Sequence, residues 1–161
     1  PKHVQQLLQE NHLRWDSLGE FLAIAVSLEE LGDKESNLRA RLLGQTLDKA
    51  TERLLENNQS PSRNTGELDN RGSHFHLARY WAEELANQDE DPDLKAFAAK
   101  LSKELEDNAD TILEEMSVIQ GSPADIGGYY HPPSDKVCAI MQPSKTLNGI
   151  LEKAREAAAS T

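Results

Sequence analysis

The chain has 161 residues, with 28 acidic side chains against 17 basic ones and a formal net charge of −11 at pH 7. That length suffices for one domain with a hydrophobic core. The charge argues against nucleic acid or an anionic membrane as a partner, since both repel an acidic surface. A single cysteine, Cys138, excludes an internal disulfide and suits the cytoplasm, where we expect the protein to reside.

Apolar residues recur at helical spacing along most of the chain and predict a mainly α fold of about six helices. Ser17 and Glu20 have the spacing of a capping box at the start of the second helix. The fifth helix has Asn108 as a candidate break. The predicted helix starts, in chain order, are near Pro1, Ser17, Ser36, Ser73, Asp91 and Ser144.

A stretch rich in glycine and proline, residues 121–143, interrupts the helical pattern. We expect a long loop there, with at most a short strand at 126–130. A loop of this length in a compact domain is usually functional or packs on another surface. We therefore treat residues 1–161 as one segment that contains this loop. Its core is predicted to include Leu22, Leu43, Phe75, Trp81 and Leu101.

The most distinctive polar stretch, residues 60–75, lies between the third and fourth predicted helices. It reads Ser-Pro-Ser-Arg-Asn-Thr-Gly-Glu-Leu-Asp-Asn-Arg-Gly-Ser-His-Phe. Arg63, Asp69, Arg71 and His74 are groups that either bind ligands or cap backbone. Composition alone leaves both interpretations open, a ligand-binding loop or a long capped connection.

Two short clusters near the start of the chain are candidate anion sites. Lys2 and His3 fall in the first turn of a helix, where free N–H groups and cationic side chains can bind an anion together. Arg14 offers a planar fork for phosphate, and Asp16 can accept a hydrogen bond from an adenine amino group. The alternatives are an ordinary exposed helix turn and an acid that complements a helix dipole.

Metal binding and nucleophilic catalysis have little support in this chain. His74 and His76 are two residues apart and so face different sides of a helix, and no HExxH motif is present. Cys138 has no nucleophile motif around it. We predict no metal ligand and no catalytic residue here.

Five uncommon motifs occur in the same order as in a known family. The chain resembles the C-terminal region of the monomeric-type NADP-dependent isocitrate dehydrogenases. The matching stretches are Pro-Lys-His-Val-Gln-Gln at 1–6, Leu-Arg-Trp-Asp-Ser-Leu-Gly-Glu-Phe-Leu at 13–22, Asn-Gln-Ser-Pro-Ser-Arg at 58–63, Gly-Glu-Leu-Asp-Asn-Arg-Gly-Ser-His-Phe at 66–75 and Asp-Ile-Gly-Gly-Tyr-Tyr at 125–130.

The resemblance implies oxidative decarboxylation of isocitrate to 2-oxoglutarate with NADP and Mg²⁺ or Mn²⁺. It places His3, Arg14 and Arg63 around the 2′-phosphate of NADP, Asp16 at the adenine and Lys2 beside that pocket. The family's metal-binding, isocitrate-binding and catalytic groups map outside this chain.

We therefore expect an inactive fragment of a longer polypeptide. The remainder of that polypeptide would be its partner, and together they would complete an α/β domain. The alternative is a non-enzymatic helical scaffold whose polar loop binds another protein.

Overall fold

A computed structural model describes residues 2–159, and these residues form helices and loops without a β-strand. The eight helices within residues 2–159 are α1 (Lys2–Glu10), α2 (Leu18–Lys34), α3 (Leu38–Glu56), α4 (Asn70–Asn87), α5 (Pro92–Asp107), α6 (Ala109–Ser117), α7 (Ser134–Met141) and α8 (Lys145–Ala159). The predicted mainly α class is confirmed within this range. None of the described helices combines the length and apolarity needed to cross a membrane.

The predicted number of six helices is wrong for two reasons. The fifth predicted helix is broken at Asn108, which ends α5 and precedes α6. In addition, α7 forms inside the stretch that was predicted to be loop. No strand forms at 126–130, where at most a short one was predicted, and Gly127 and Gly128 have φ angles of 75° and 151°, outside the β region of ordinary residues.

Helices α2 and α3 form a closely packed pair joined by a short connection. Gly44 permits this approach, since a Cβ atom at that position would lie 2.7 Å from the carbonyl oxygen of Ala25. Phe21 and Ala25 turn the buried side of α2 toward α3.

Helix α4 is the centre of the fold because two hydrophobic clusters share it. Its Leu77 and Tyr80 join the cluster built with α2 and α3, whereas Phe75 and Ala82 join the cluster built with α5, α6 and α8. A helix that is buried on two sides has little amphipathic contrast. The first residues of α4, 70–73, are all buried.

The predicted core residues divide into three groups. Phe75 is fully buried, as expected, while Trp81, Leu43 and Leu101 are half-buried. Trp81 Nε1 donates to the carbonyl oxygen of Leu43 at 3.2 Å. The prediction for Leu22 is wrong, because α2 packs through the side that carries Phe21 and leaves Leu22 42% exposed.

The helix caps differ from the predicted ones at several positions. The capping box of Ser17 and Glu20 does not form: Ser17 Oγ instead accepts from Asn70, and Glu20 accepts from Trp15 Nε1 at 3.2 Å. The Asp16 carboxylate instead accepts a hydrogen bond from the Leu18 amide, at the first residue of α2, at 3.1 Å.

The remaining starts are partly as predicted. Asp91 caps α5 and Ser144 Oγ accepts from the Leu147 amide at 3.0 Å, both as expected. Helix α3 is capped by Asn37, one residue after the predicted Ser36, and α4 is capped by Asp69, four residues before the predicted Ser73. The placement predicted for Pro1 lies outside the described residues.

Candidate functional site around Arg14 and Arg63

The second half of the polar stretch is buried and belongs to the fold. Asp69 is the N-cap of α4, and its carboxylate accepts from the Arg71 amide at 3.0 Å and from the Leu13 amide at 3.2 Å. Asn70 donates from Nδ2 to the carbonyl oxygen of Trp15 at 2.8 Å and to Ser17 Oγ at 2.9 Å. These bonds fix the backbone of residues 11–17 against the start of α4.

Arg71 completes this buried network. Its guanidinium donates to the Asp69 carboxylate at 2.8 Å, to the side chain and carbonyl of Asn11 at 2.9 and 2.7 Å, and to the carbonyl oxygen of Ile140 at 2.8 Å. Both members of the ion pair are nearly inaccessible, at 4% exposure for Arg71 and 1% for Asp69. These four hydrogen bonds and a 2.5 Å ion-pair contact between Nη2 and Asp69 Oδ2 leave no guanidinium N–H for a ligand, so the loop-capping interpretation holds for residues 69–73.

The first half of the polar stretch has a different character, because it meets Arg14. Arg14 Nε donates to the carbonyl oxygen of Arg63 at 2.6 Å, and its Nη2 lies 3.4 Å from Thr65 Oγ1. Nη1 forms an ion pair with Glu10, the last residue of α1 and four positions earlier in the chain. The hydrogen bond from Arg14 is the main reason that the pKa of Glu10 is lowered. Arg14 is thus oriented by three contacts while part of its fork stays uncommitted.

The side chain of Arg63 is exposed and makes no hydrogen bond or ion pair within residues 2–159. Its position beside Arg14 comes from its backbone carbonyl alone. The structure therefore brings one fixed arginine and one free arginine side chain to the same surface.

The other predicted site residues surround this pair to different degrees. The ring of His3 packs edge-on against Trp15, with 5.4 Å between the ring centroids, and Trp15 is the neighbour of both Arg14 and Asp16. Asp16 is exposed and caps α2. Lys2 is exposed on α1 and, within the described residues, forms no hydrogen bond with the other four.

Sequence reasoning missed the residues that support this surface. His12 is fully buried, and its two ring nitrogens lie 2.7 Å from Gln120 Oε1 and 2.9 Å from the carbonyl oxygen of Ser62. Ser62 and Glu67 are also bonded to each other within the loop. Nothing in the local pattern distinguishes His12 from a surface histidine, because its partners are 50 and 108 positions away.

Two other features of the described chain lie apart from this surface or add nothing to it. Across residues 2–159, no group of three His, Cys, Asp or Glu side chains is arranged to hold a metal ion. A groove of about 730 Å³ lies beside α4 and α8, and its lining includes Phe75, Met116 and Leu151 but none of the five predicted site residues.

The comparisons with known proteins identify the family of this chain. A family model described as monomeric isocitrate dehydrogenase matches residues 1–152. NADP isocitrate dehydrogenase 2 of Mycobacterium tuberculosis is 59% identical over 152 residues, which are 94% of this chain and 20% of that protein. The NADP isocitrate dehydrogenase of Azotobacter vinelandii is 54% identical over 151 residues, again 94% of this chain and 20% of the relative. The chain spans about a fifth of the length of these relatives, and it belongs to the monomeric isocitrate dehydrogenase family.

Proposed function

We propose that this chain is the C-terminal, cofactor-binding part of an NADP-dependent isocitrate dehydrogenase. The whole enzyme would convert isocitrate to 2-oxoglutarate and carbon dioxide, with NADP accepting the hydride. Mg²⁺ or Mn²⁺ and the groups that hold isocitrate would belong to the rest of the polypeptide. In that enzyme, residues 1–161 would complete an α/β domain, and the role proposed for this segment is to bind the 2′-phosphate end of NADP.

The observation that carries the proposal is the pairing of Arg14 with Arg63. Three contacts orient the Arg14 guanidinium in advance, so little conformational entropy is lost when it binds an anion. The neighbouring Arg63 side chain is exposed and uncommitted within the described residues, so it can adapt to the ligand. Two guanidinium forks suit a phosphate that carries nearly two negative charges.

The donor set fits the 2′-phosphate in its chemistry as well as its charge. Arg14, Arg63 and His3 would hold the phosphate, with Lys2 adding positive charge nearby. Asp16 would accept from the adenine amino group. This concentration of cations is unusual in a chain with a net charge of −11, and each charge-assisted hydrogen bond contributes about 1.5–3 kcal/mol.

Glu10 sets a limit on this attraction. Its carboxylate already binds Arg14 and accepts from Thr65 Oγ1 at 3.2 Å. A bound phosphate would therefore share Arg14 with Glu10. We propose that Glu10 holds the guanidinium in orientation before NADP arrives, at some cost in affinity.

The exposed flanks of α2 support the proposal that further polypeptide covers this segment. Apolar side chains are exposed on both flanks of the side that meets α3: Leu22 and Val26 lie on one flank, and Ile24 and Leu31 lie on the other. Exposed apolar side chains grouped in this way are typical of an interface. We propose that the remainder of the parent chain packs there.

The proposal is tested by kcat/KM for NADP and NAD in the full-length enzyme with Arg14→Asp. This change removes an attractive guanidinium group and adds a repulsive carboxylate. The kcat/KM for NADP should therefore fall by an amount that corresponds to about 2–4 kcal/mol of lost transition-state stabilisation. NAD lacks the 2′-phosphate and should lose far less. Arg155→Asp is the matched control, because Arg155 is exposed on α8 and pairs with Glu152. An unchanged NADP/NAD ratio in Arg14→Asp would show that the phosphate is held elsewhere.

A second experiment tests the division of labour along the polypeptide. The 161-residue chain alone, supplied with isocitrate, NADP and Mg²⁺ or Mn²⁺, should form no NADPH. Turnover at an ordinary enzymatic rate by this chain alone would contradict the assignment of the metal and isocitrate sites to other segments.

A further inference from the structure

His12 lies at the point where three segments of the chain meet, and no solvent reaches it. One ring nitrogen, Nδ1, lies 2.7 Å from Gln120 Oε1, and the other, Nε2, lies 2.9 Å from the backbone oxygen of Ser62. A backbone carbonyl oxygen can only accept a hydrogen bond. Nε2 must therefore carry a proton.

The orientation of the Gln120 amide decides the state of the other nitrogen. Oxygen and nitrogen of a glutamine side chain are assigned from their hydrogen bonds, and here two backbone groups make the assignment. The Gly66 amide donates to Oε1 at 2.7 Å, and Nε2 of Gln120 donates to the carbonyl oxygen of Glu67 at 3.0 Å. Exchanging the two amide atoms would set donor against donor and acceptor against acceptor. His12 Nδ1 consequently faces an oxygen and must also donate.

We infer that His12 is an imidazolium cation whose two N–H groups clamp the loop of Arg63 to the segment of Arg14, and that it is a positioning residue for the NADP 2′-phosphate site. Its link to NADP rests on the proposed function. The clamp is direct, because Ser62 precedes Arg63 in the chain and His12 stands two residues before Arg14. Gln120 extends the clamp to Gly66 and Glu67, at the far end of the same loop.

The charges around His12 are compatible with a cation at this position. On its own segment, Glu10 faces it, and Arg14 is paired with that same carboxylate. On the loop, Glu67 faces it, whereas the group from the segment after α6 is the neutral Gln120. The pKa of Glu67 is lowered mainly by hydrogen bonds from Ser62 and Asn64, with the charge of His12 as a smaller cause. His12 is likewise a smaller cause, after Arg14, for the lowered pKa of Glu10.

Loss of one proton would break one of the two bonds, since neutral imidazole has a single N–H. The bond that fails would leave an acceptor buried against an acceptor, which is unfavourable. The loop of residues 62–68 would then lose one of its attachments, and the bond from Arg14 Nε to the carbonyl oxygen of Arg63 would have to hold the two arginines in register without it. The geometry thus couples the protonation of one buried histidine to the arrangement of two arginines.

The protonation state is tested without NADP, in the full-length protein labelled with ¹⁵N-histidine. NMR should show both His12 ring nitrogens bearing protons at the start of a titration to higher pH. The His12 resonances are assigned by their absence from the spectrum of His12→Gln. Hydrogen exchange at the Gly66 amide should accelerate over the same pH range in which one His12 proton is lost. A neutral His12 tautomer with Gly66 still protected would overturn the inference.

The positioning role is tested by the cofactor preference. His12→Gln keeps one donor but cannot be a cation, and we expect the NADP/NAD ratio of kcat/KM to fall about tenfold, the effect of one weakened hydrogen bond to a charged group. The ratio in this variant should also lose the pH dependence that tracks His12 in the parent protein. Gln120→Met removes the acceptor opposite Nδ1 and should abolish the same pH dependence. His131→Asn is the control, because His131 is exposed at a φ of 73° that asparagine tolerates.

The two proposals fail in different ways. If His12→Gln leaves the NADP/NAD ratio and its pH dependence as they were, while exchange at Gly66 accelerates, His12 is a loop clamp without a positioning role and the inference is wrong. If Arg14→Asp leaves the ratio unchanged, the phosphate site itself is wrong.

Discussion

Two arginines eight residues apart in the same polar stretch have opposite environments. Arg71 is 4% exposed and donates four hydrogen bonds to Asp69, Asn11 and Ile140. Arg63 is exposed, and within residues 2–159 its side chain has no such partner. Both belong to motifs that mark the family, yet one is occupied by the fold and the other is available to a ligand. The difference teaches that a motif rich in binding groups can be divided, residue by residue, between architecture and chemistry.

Breaking the buried ion pair should give the largest effect. Arg71→Met would leave the Asp69 carboxylate buried without its cation, and the free energy of unfolding should fall by about 3–5 kcal/mol. Urea unfolding of the chain, followed by circular dichroism, measures this change. Arg63→Met is the matched control and should stay within about 0.5 kcal/mol of the parent chain. Equal losses in the two variants would remove the contrast between the two arginines.

A pair of histidines near the start of α4, His74 and His76, repeats the contrast and predicts a pH dependence. Burial, followed by the charge of Arg79, lowers the pKa of His76 to about 4, whereas an unfolded histidine has a pKa of about 6.5. The unfolded chain therefore binds a proton that the folded chain does not, and stability falls as the pH drops from about 6.5 toward 4. The loss should approach about 3 kcal/mol, since one pKa unit corresponds to about 1.4 kcal/mol.

Unfolding free energies measured at several pH values between 7 and 4.5 test this prediction. His76→Leu should flatten the pH dependence in that range, because the titrating group is gone. His74→Leu is the control: His74 is exposed, with Nδ1 bonded to the carbonyl oxygen of Asn70 at 2.8 Å, and its removal should leave the slope in place. If His76→Leu left the slope of unfolding free energy against pH unchanged, other titratable groups would be responsible for that slope.

The sequence predicted the helical class, the cap at Asp91 and the polar stretch as a centre of interest, because periodicity and cap residues are local signals. It could not divide that stretch into buried and exposed halves. The division depends on residues 11–17 and on Ile140, which reach Arg71 only through the tertiary fold. His12 was missed for the same reason, and Leu22 was misassigned because periodicity does not say which side of an apolar helix meets its neighbour.

For the exposed arginine, Arg63, we expect a substitution to change the cofactor preference and to leave the stability of the protein unchanged. Arg63→Ala in the full-length enzyme should reduce kcat/KM for NADP by about 1.5–3 kcal/mol in transition-state stabilisation, the contribution of a hydrogen bond to a charged group. NAD should be used nearly as before. Steady-state kinetics with both cofactors gives the ratio, and thermal unfolding of the same samples gives the stability. If Arg63→Ala lowered the melting temperature and left the NADP/NAD ratio of kcat/KM unchanged, Arg63 would be a structural residue like Arg71.

Asp16 should give the smallest effect, and it tests whether one residue can serve both the fold and the ligand. Its carboxylate accepts from the Leu18 amide at 3.1 Å and so satisfies the start of α2. Removing a helix cap typically costs about 1 kcal/mol, so Asp16→Ala should lower stability by that amount. The substitution should also weaken the binding of NADP and of NAD to the same extent, because both cofactors carry the adenine amino group that Asp16 is proposed to bind. Asp16→Asn keeps an oxygen for the cap but adds an amide donor, so stability should be retained while adenine recognition is impaired. If Asp16→Asn restores both stability and affinity, the residue acts on the cofactor only through the helix that it caps.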